Sequence, residues 1–263
     1  MNGISDNLQS AVFPEIFLKG SWIDSFGELN SPFMVILKMQ DVHPEDLVRF
    51  GRFLTEEETA KSGRFRFSHD RDSYIAVHGL LRWILGIYFG VLPEAVRIRY
   101  TSLGKPYVTG YSRQLFFNLS HSSGVSLLVF DPANEIGADV EKVDPEFEYE
   151  SLVRRFFTKE EGNYIDQSGK KARERFFEIW TRKEAFLKAV GEGITENLSV
   201  EVLEEKISMN AIHPGESEGR NFLFRSALFE DEYRITLALS TESYPVIGFI
   251  PGANLNRYPI TEA

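Results

Sequence analysis

Twice along this chain a long helical stretch is stopped by glycine and followed by strands, and this repeated order constrains the fold more than any other feature. The pattern predicts a helix over Asp70–Phe89, opened by an aspartate and ended near Gly90, and a second over Arg173–Val190, stopped by Gly191 and Gly193. Ahead of the first, Phe33–Met39 reads as a buried strand, and Thr55–Ser62 as a short helix with a threonine N-cap and an acidic first turn. Strands are expected next at Val96–Tyr100, Leu115–Leu119 and Val125–Phe130, set apart by turn signals at Gly104, Pro106 and Gly110. The second half repeats the order. A strand at Glu135–Val140 precedes helical segments at Tyr149–Phe157 and Lys159–Ile165. After the long helix come strands near Leu198–Leu203, Asn221–Leu228, Tyr233–Leu239 and Val246–Ile250. Asp131–Asn134 reads as the turn that links the halves. The expectation is an α+β fold of two similar lobes with a cleft between them, residues 1–133 and 134–263.

Composition narrows the function. The formal charge of −10 argues against free nucleic acid as a partner, because phosphate backbones want a basic surface. A small phosphate ligand is still compatible, since local cations can hold one. With no cysteine, disulfides, thiolate metal sites and thiol catalysis all drop out. The start of the chain lacks a basic segment followed by a long apolar run, so no signal peptide is expected. The longest apolar stretch, Ile75–Phe89, is broken by His78 and Arg82 and is too short to span a bilayer. The expectation is a cytoplasmic protein with no membrane partner.

Five groups of residues can carry chemistry. In Gly137-Ala138-Asp139-Val140-Glu141, a strand turns both carboxylates to one face, a good site for a hard cation, although such a pair also occurs on solvated edges. On the second long helix Trp180, Glu184 and Lys188 share one side, where Glu184–Lys188 also reads as a surface i,i+4 ion pair. Lys183 falls inside the apolar stripe of Phe176, Ile179, Phe186, Leu187 and Val190, a place where a lysine ordinarily snorkels. Asn118-Leu119-Ser120-His121 ends a strand. Adjacent Ser and His point to opposite faces and no nucleophile elbow is present, so they suit phosphate contacts or a turn better than hydrolysis. Gly104-Lys105-Pro106 lacks the rest of a phosphate-binding loop and reads alone as a turn. Lys61 and Arg64, before the first long helix, are anion clamps or solvated charges.

In their order and spacing, GKP, NLSH, GADVE, FFTKEE and WTRKEAFLKAVGEGI resemble the Sfp-type 4'-phosphopantetheinyl transferases, from about Lys61 to about Val200. The resemblance implies two similar α+β lobes related by pseudo-twofold symmetry, with coenzyme A in the cleft. It implies an enzyme that moves phosphopantetheine from coenzyme A to a serine of an acyl or peptidyl carrier protein, with Mg²⁺ or Mn²⁺, releasing 3',5'-ADP. It assigns Asp139 and Glu141 to the metal, Glu184 as third ligand or general base, and Lys188 to the pyrophosphate. Ser120 and His121 would contact phosphate, Lys105 would line the nucleotide, and Lys61 would face the 3'-phosphate with Arg64 as a substitute. Glu161 matches the acidic position after the paired phenylalanines. Ala138 stands where the family usually has Ile, and Glu58 and Tyr74 where it has basic or hydroxyl residues. A monomer is expected. The alternatives are a non-catalytic homologue that binds carriers, or another Mg²⁺-dependent enzyme of phosphate esters. A basic cluster at Lys170, Lys171, Arg173 and Arg175 is a docking candidate for the carrier.

Overall fold

Strand β1 (Phe33–Lys38) shows how the molecule is layered, because it is buried on both faces. Phe33, Val35 and Leu37 pack with the first long helix, while Met34 and Ile36 join a different cluster between two sheets. The computed structural model describes residues 31–191, 200–209, 220–240 and 246–249.

The first half continues with α1 (Pro44–Gly51), α2 (Glu56–Ser62) and α3 (Ser68–Phe89). Next come the hairpin β2 (Ile98–Tyr100) and β3 (Pro106–Val108), then β4 (Phe116–Ser122) and β5 (Val125–Asp131). The second half runs β6 (Ile136–Lys142), α4 (Glu150–Phe156), α5 (Lys159–Gln167) and α6 (Ala172–Val190). It ends with β7 (Lys206–Met209), β8 (Arg220–Phe229), β9 (Tyr233–Leu239) and β10 (Val246–Phe249). One sheet has the order β10-β1-β5-β4 and another β6-β9-β8-β7. The arrangement is mixed α+β: α3 covers one sheet, α6 the other, and the sheets bury a shared apolar core between them.

Local chemistry sets the element ends. Thr55 and Thr158 each accept the amide of the glutamate three residues on, which returns a carboxylate to the cap, so both short helices open with capping boxes. α3 and α6 end on Gly90 and Gly191 at φ of 68° and 79°, a left-handed geometry that glycine adopts without steric cost. Asp131 accepts the amides of Ala133 and Asn134, which makes the expected link turn.

Several elements differ from the sequence reading. Helix α1 was not expected, since its apolar face is short. α3 begins at Ser68 after Phe67, with Asp70 inside the first turn rather than at the cap. No strand occupies residues 200–203, and the strand in this region is β7, from Lys206. Leu198, Gly193 and Ile250 lie outside the described residues. β10, although late in the chain, pairs in parallel with β1 in the first sheet. Long-range partner choice of that kind leaves no local signature.

Candidate active site

β6 alternates. Ile136, Ala138 and Val140 enter the core between the sheets, which turns Gly137, Asp139 and Glu141 toward α6. The small Ala138 is fully buried there. Gly137 lets the helix come close: a Cβ at this position would lie 1.9 Å from the Ala185 carbonyl oxygen. That approach presents Glu184 and Lys188, the residues flanking the contact, to the strand.

Lys188 Nζ lies 2.6 Å from Asp139 Oδ1 and 3.0 Å from Ser120 Oγ, and the Ser120 hydroxyl donates to the same Oδ1 at 2.8 Å. Asp139 is 3% exposed, and its Oδ2 is buried without a hydrogen-bond partner. Glu141 accepts from Ser122 at 2.9 Å and lines one cavity with Trp180. Lys188 thus pairs with Asp139, so the reading of Glu184–Lys188 as a surface ion pair does not hold, and the acidic pair does not sit on a solvated edge.

Three carboxylates share this pocket with one ammonium. Burial pushes the Asp139 carboxyl up, against the opposing pull of Lys188 and Ser120. Burial and repulsion from Asp139 raise Glu141, against Ser122, Lys188 and Trp180. Glu184 is pushed up to about 7 by burial first, then by Asp139, with Lys188 opposing. Among the described residues no three carboxylate or imidazole groups converge as a ready-made cage, and Lys188 and Ser120 take the inner oxygen of Asp139. The donor set nevertheless fits a hard cation. It is all oxygen, carries more negative charge than Lys188 offsets, and leaves one buried carboxylate oxygen open. Beside Glu141 and Trp180 lies a cavity of about 610 Å³, walled by Phe147, Leu152, Phe176 and Phe177.

The remaining sequence candidates are spread around this centre. His121 is exposed on the face of β4 opposite Ser120. It is close enough to the half-buried His78 to help Lys61 and Arg82 depress that imidazole. Burial is the main cause, and His78 falls to about 4. Lys61 and Arg64 are exposed, with Lys61 over the Tyr74 ring at 5.2 Å. Lys105 bonds Glu135 and the Ala189 carbonyl, tying the β2–β3 hairpin to the end of α6. It also borders a cavity of about 660 Å³ with Thr101, Tyr107 and Tyr111. Lys183 does not snorkel. It is 1% exposed and bonds Glu161 at 2.8 Å and the Val200 carbonyl at 2.8 Å. Glu161 also closes the α5 capping box and accepts the Val202 amide, so this acid is a structural hub. Glu58 plays the same part in the first half, closing the α2 box and binding Arg82. Sequence reasoning missed Ser122, which donates to Glu141. The signal available was the period-2 match between the polar positions of NLSHS and those of GADVE.

A family model described as the 4'-phosphopantetheinyl transferase superfamily matches residues 135–238. A second, described as 4'-phosphopantetheinyl transferase, N-terminal, matches residues 41–132. The chain belongs to the 4'-phosphopantetheinyl transferase superfamily. The two matches contain every residue of the cluster, Asp139, Glu141, Glu184 and Lys188 in the first and Ser120 and Ser122 in the second. Among curated relatives, 4'-phosphopantetheinyl transferase HetI of Nostoc sp. is 38% identical over 57% of this chain and 64% of its own length. 4'-phosphopantetheinyl transferase Sfp of Bacillus subtilis is 30% identical over 57% of this chain and 66% of its own. L-aminoadipate-semialdehyde dehydrogenase-phosphopantetheinyl transferase of Xenopus laevis is 27% identical over 72% and 68%. The chain thus spans just under two thirds of the length of the first of these relatives. No helix among the described residues is long and apolar enough to cross a membrane.

Proposed function

We propose that this protein transfers the 4'-phosphopantetheine group of coenzyme A to a serine of an acyl or peptidyl carrier protein and releases 3',5'-ADP. The observation that carries the reading is the buried cluster of Asp139, Glu141, Glu184 and Lys188 with its open Asp139 oxygen, formed by the residues to which the resemblance assigns the metal and the pyrophosphate. Asp139 and Glu141, with Glu184 beside them, would hold a divalent cation. Such an ion supplies Lewis acidity and offsets the charge of a pyrophosphate.

The chain's own residues do the rest. The serine oxygen bonds to the β-phosphorus of coenzyme A as the bond to the departing 3',5'-ADP oxygen breaks. Glu184, whose carboxyl is pushed up to about 7, is in its ionised form the side chain suited to take the serine proton. Lys188 is a compact charge that offsets the phosphate leaving with ADP. Ser120 orients both Lys188 and Asp139. Lys61, Arg64, His121 and Lys105 are the proposed contacts to the nucleotide end of coenzyme A. The two halves of the chain, 1–133 and 134–263, act as lobes that share this site. The enzyme works as a cytoplasmic monomer.

The test is intact-mass analysis of apo acyl and peptidyl carrier proteins after incubation with the protein, coenzyme A and Mg²⁺. A gain of one phosphopantetheine, lost on chelation, is the expected result. A protein that binds coenzyme A and carriers but transfers nothing is a non-catalytic homologue, and the reading fails.

A further inference from the structure

The edge strands β4 and β6 face each other across the two sheets without belonging to a common ladder. The amides of Ala138, Val140 and Lys142, which alternate along β6, all find side chains of β4 instead. Ala138 N–H donates to Asn118 Oδ1 at 3.1 Å, Val140 N–H to Ser120 Oγ at 3.3 Å, and Lys142 N–H to Ser122 Oγ at 3.1 Å. Residues 118, 120 and 122 share one face of β4, so this is a side-chain ladder that substitutes for a backbone one.

Two rungs of the ladder do more than seal an edge. Ser120 accepts the amide of Val140 and donates to the carboxylate of the residue before it, Asp139. Ser122 accepts the amide of Lys142 and donates to the carboxylate of the residue before it, Glu141. The geometry is repeated two residues along. At the Asn118 rung the residue before the amide is Gly137, which has no side chain to orient.

We infer that Ser122 is a positioning residue: its hydroxyl sets the orientation of the Glu141 carboxylate against the β6 backbone, and Glu141 is thereby held ready for a cation. The inference rests on the proposed metal-dependent transfer. Three features support it. A hydroxyl has one proton, and the bond from the Lys142 amide commits an Oγ lone pair, so the hydrogen is aimed at the carboxylate rather than free to rotate. The Trp180 side chain of α6 and the Glu141 carboxylate line the same cavity, so Glu141 is flanked from the strand and from the helix. Ser122 is half-buried, which shields the bond from water without closing the cavity beside Glu141 and Trp180. Groups that orient a ligating carboxylate act through the ligand, and their loss typically costs about 10- to 100-fold in metal affinity.

The experiment compares Ser122→Ala, Ser122→Thr and Glu141→Gln with the unmodified protein. Direct Mn²⁺ titration without substrate is read first, then the Mg²⁺ dependence of carrier modification, then thermal unfolding in chelator. Ser122→Ala should weaken Mn²⁺ binding by about 10-fold and raise the Mg²⁺ needed for half-maximal rate by a similar factor. Ser122→Thr, which keeps the hydroxyl, should restore both. Adding Ser122→Ala to Glu141→Gln should weaken Mn²⁺ binding no further, because the route through Glu141 is already gone. If Ser122→Ala lowers only the unfolding temperature and leaves Mn²⁺ affinity unchanged, the hydroxyl is a seam between sheets and the inference is overturned. The same holds if the two substitutions are additive. If the unmodified protein neither binds Mn²⁺ nor modifies any carrier, the proposed function fails and takes this inference with it.

Discussion

In the first half of the chain Glu58 closes the capping box of α2 and binds Arg82 of α3. In the second, Glu161 closes the box of α5 and binds Lys183 of α6. Arg82 and Gly90 are separated by the same eight positions as Lys183 and Gly191. The anchoring device is therefore shared, and the halves part company where the long helix meets its strand. α3 meets the apolar face of β1, with Leu80, Leu81, Ile84 and Leu85 buried against Phe33, Val35 and Leu37. α6 meets Gly137, Asp139 and Glu141 with Glu184 and Lys188. Burying carboxylates costs stability unless they are paired. The apolar packing of the first half, together with the core between the sheets, offsets that cost and keeps the acids where the proposed chemistry needs them. The lesson is that one scaffold carries an apolar interface and a charged one, the proposed reactive interface, distinguished by a few side chains on one strand face.

The largest effect should come from the reactive interface. Asp139→Ala and Glu184→Gln should each reduce carrier modification by at least about 100-fold while the fold is kept. Near-normal turnover in either variant, read by intact mass, would remove that residue from the proposed machinery. By contrast, Glu58→Gln should lower stability rather than abolish turnover.

The two anchors rank next. Lys183→Met leaves Glu161 buried and unpaired, and should destabilise the protein by about 3–5 kcal/mol in urea unfolding. Arg82→Met should cost less, because Glu58 retains some contact with solvent. An equal loss at both sites would mean that burial of the acid does not set the cost.

Acid sensitivity separates the halves by sign. His78 has its pKa lowered from 6.5 to about 4, so the unfolded chain takes up its proton first and stability is lost as pH falls from 6.5 toward 4. Glu184 has its pKa raised from 4.5 to about 7, so its contribution is present below 4.5 and lost as pH rises through 7. In metal-free protein, Glu184→Gln should therefore make stability climb more steeply with pH between 4.5 and 6.5, and His78→Asn should make it climb less. Parallel profiles for the two variants would show that these groups do not govern the window.

The smallest effect concerns the caps. Thr55→Ala and Thr158→Ala should each cost about 1 kcal/mol, and by similar amounts, because each removes the same side-chain bond to a helix amide. Unequal losses would break the equivalence of the two anchoring devices.

Much of this molecule was readable from local pattern. The capping Thr55, the terminating glycines and the apolar runs gave the long helices, the two short helices α2 and α5 and most strands, since each is set by neighbours within a turn or a pleat. The period of β6 alone put Asp139 and Glu141 on one face, and helical spacing put Trp180, Glu184 and Lys188 on one side. Tertiary structure decided which of these faces met. It joined Lys188 to Asp139 rather than Glu184, paired Lys183 with Glu161 from another helix, and returned β10 to the first sheet. It also turned Asn118, Ser120 and Ser122 into the seam that holds the β6 edge. Those partners are far apart along the chain, and nothing local to either one names the other. Only the packing of α6 onto β6, made possible by the missing side chain of Gly137, brings them within hydrogen-bond reach.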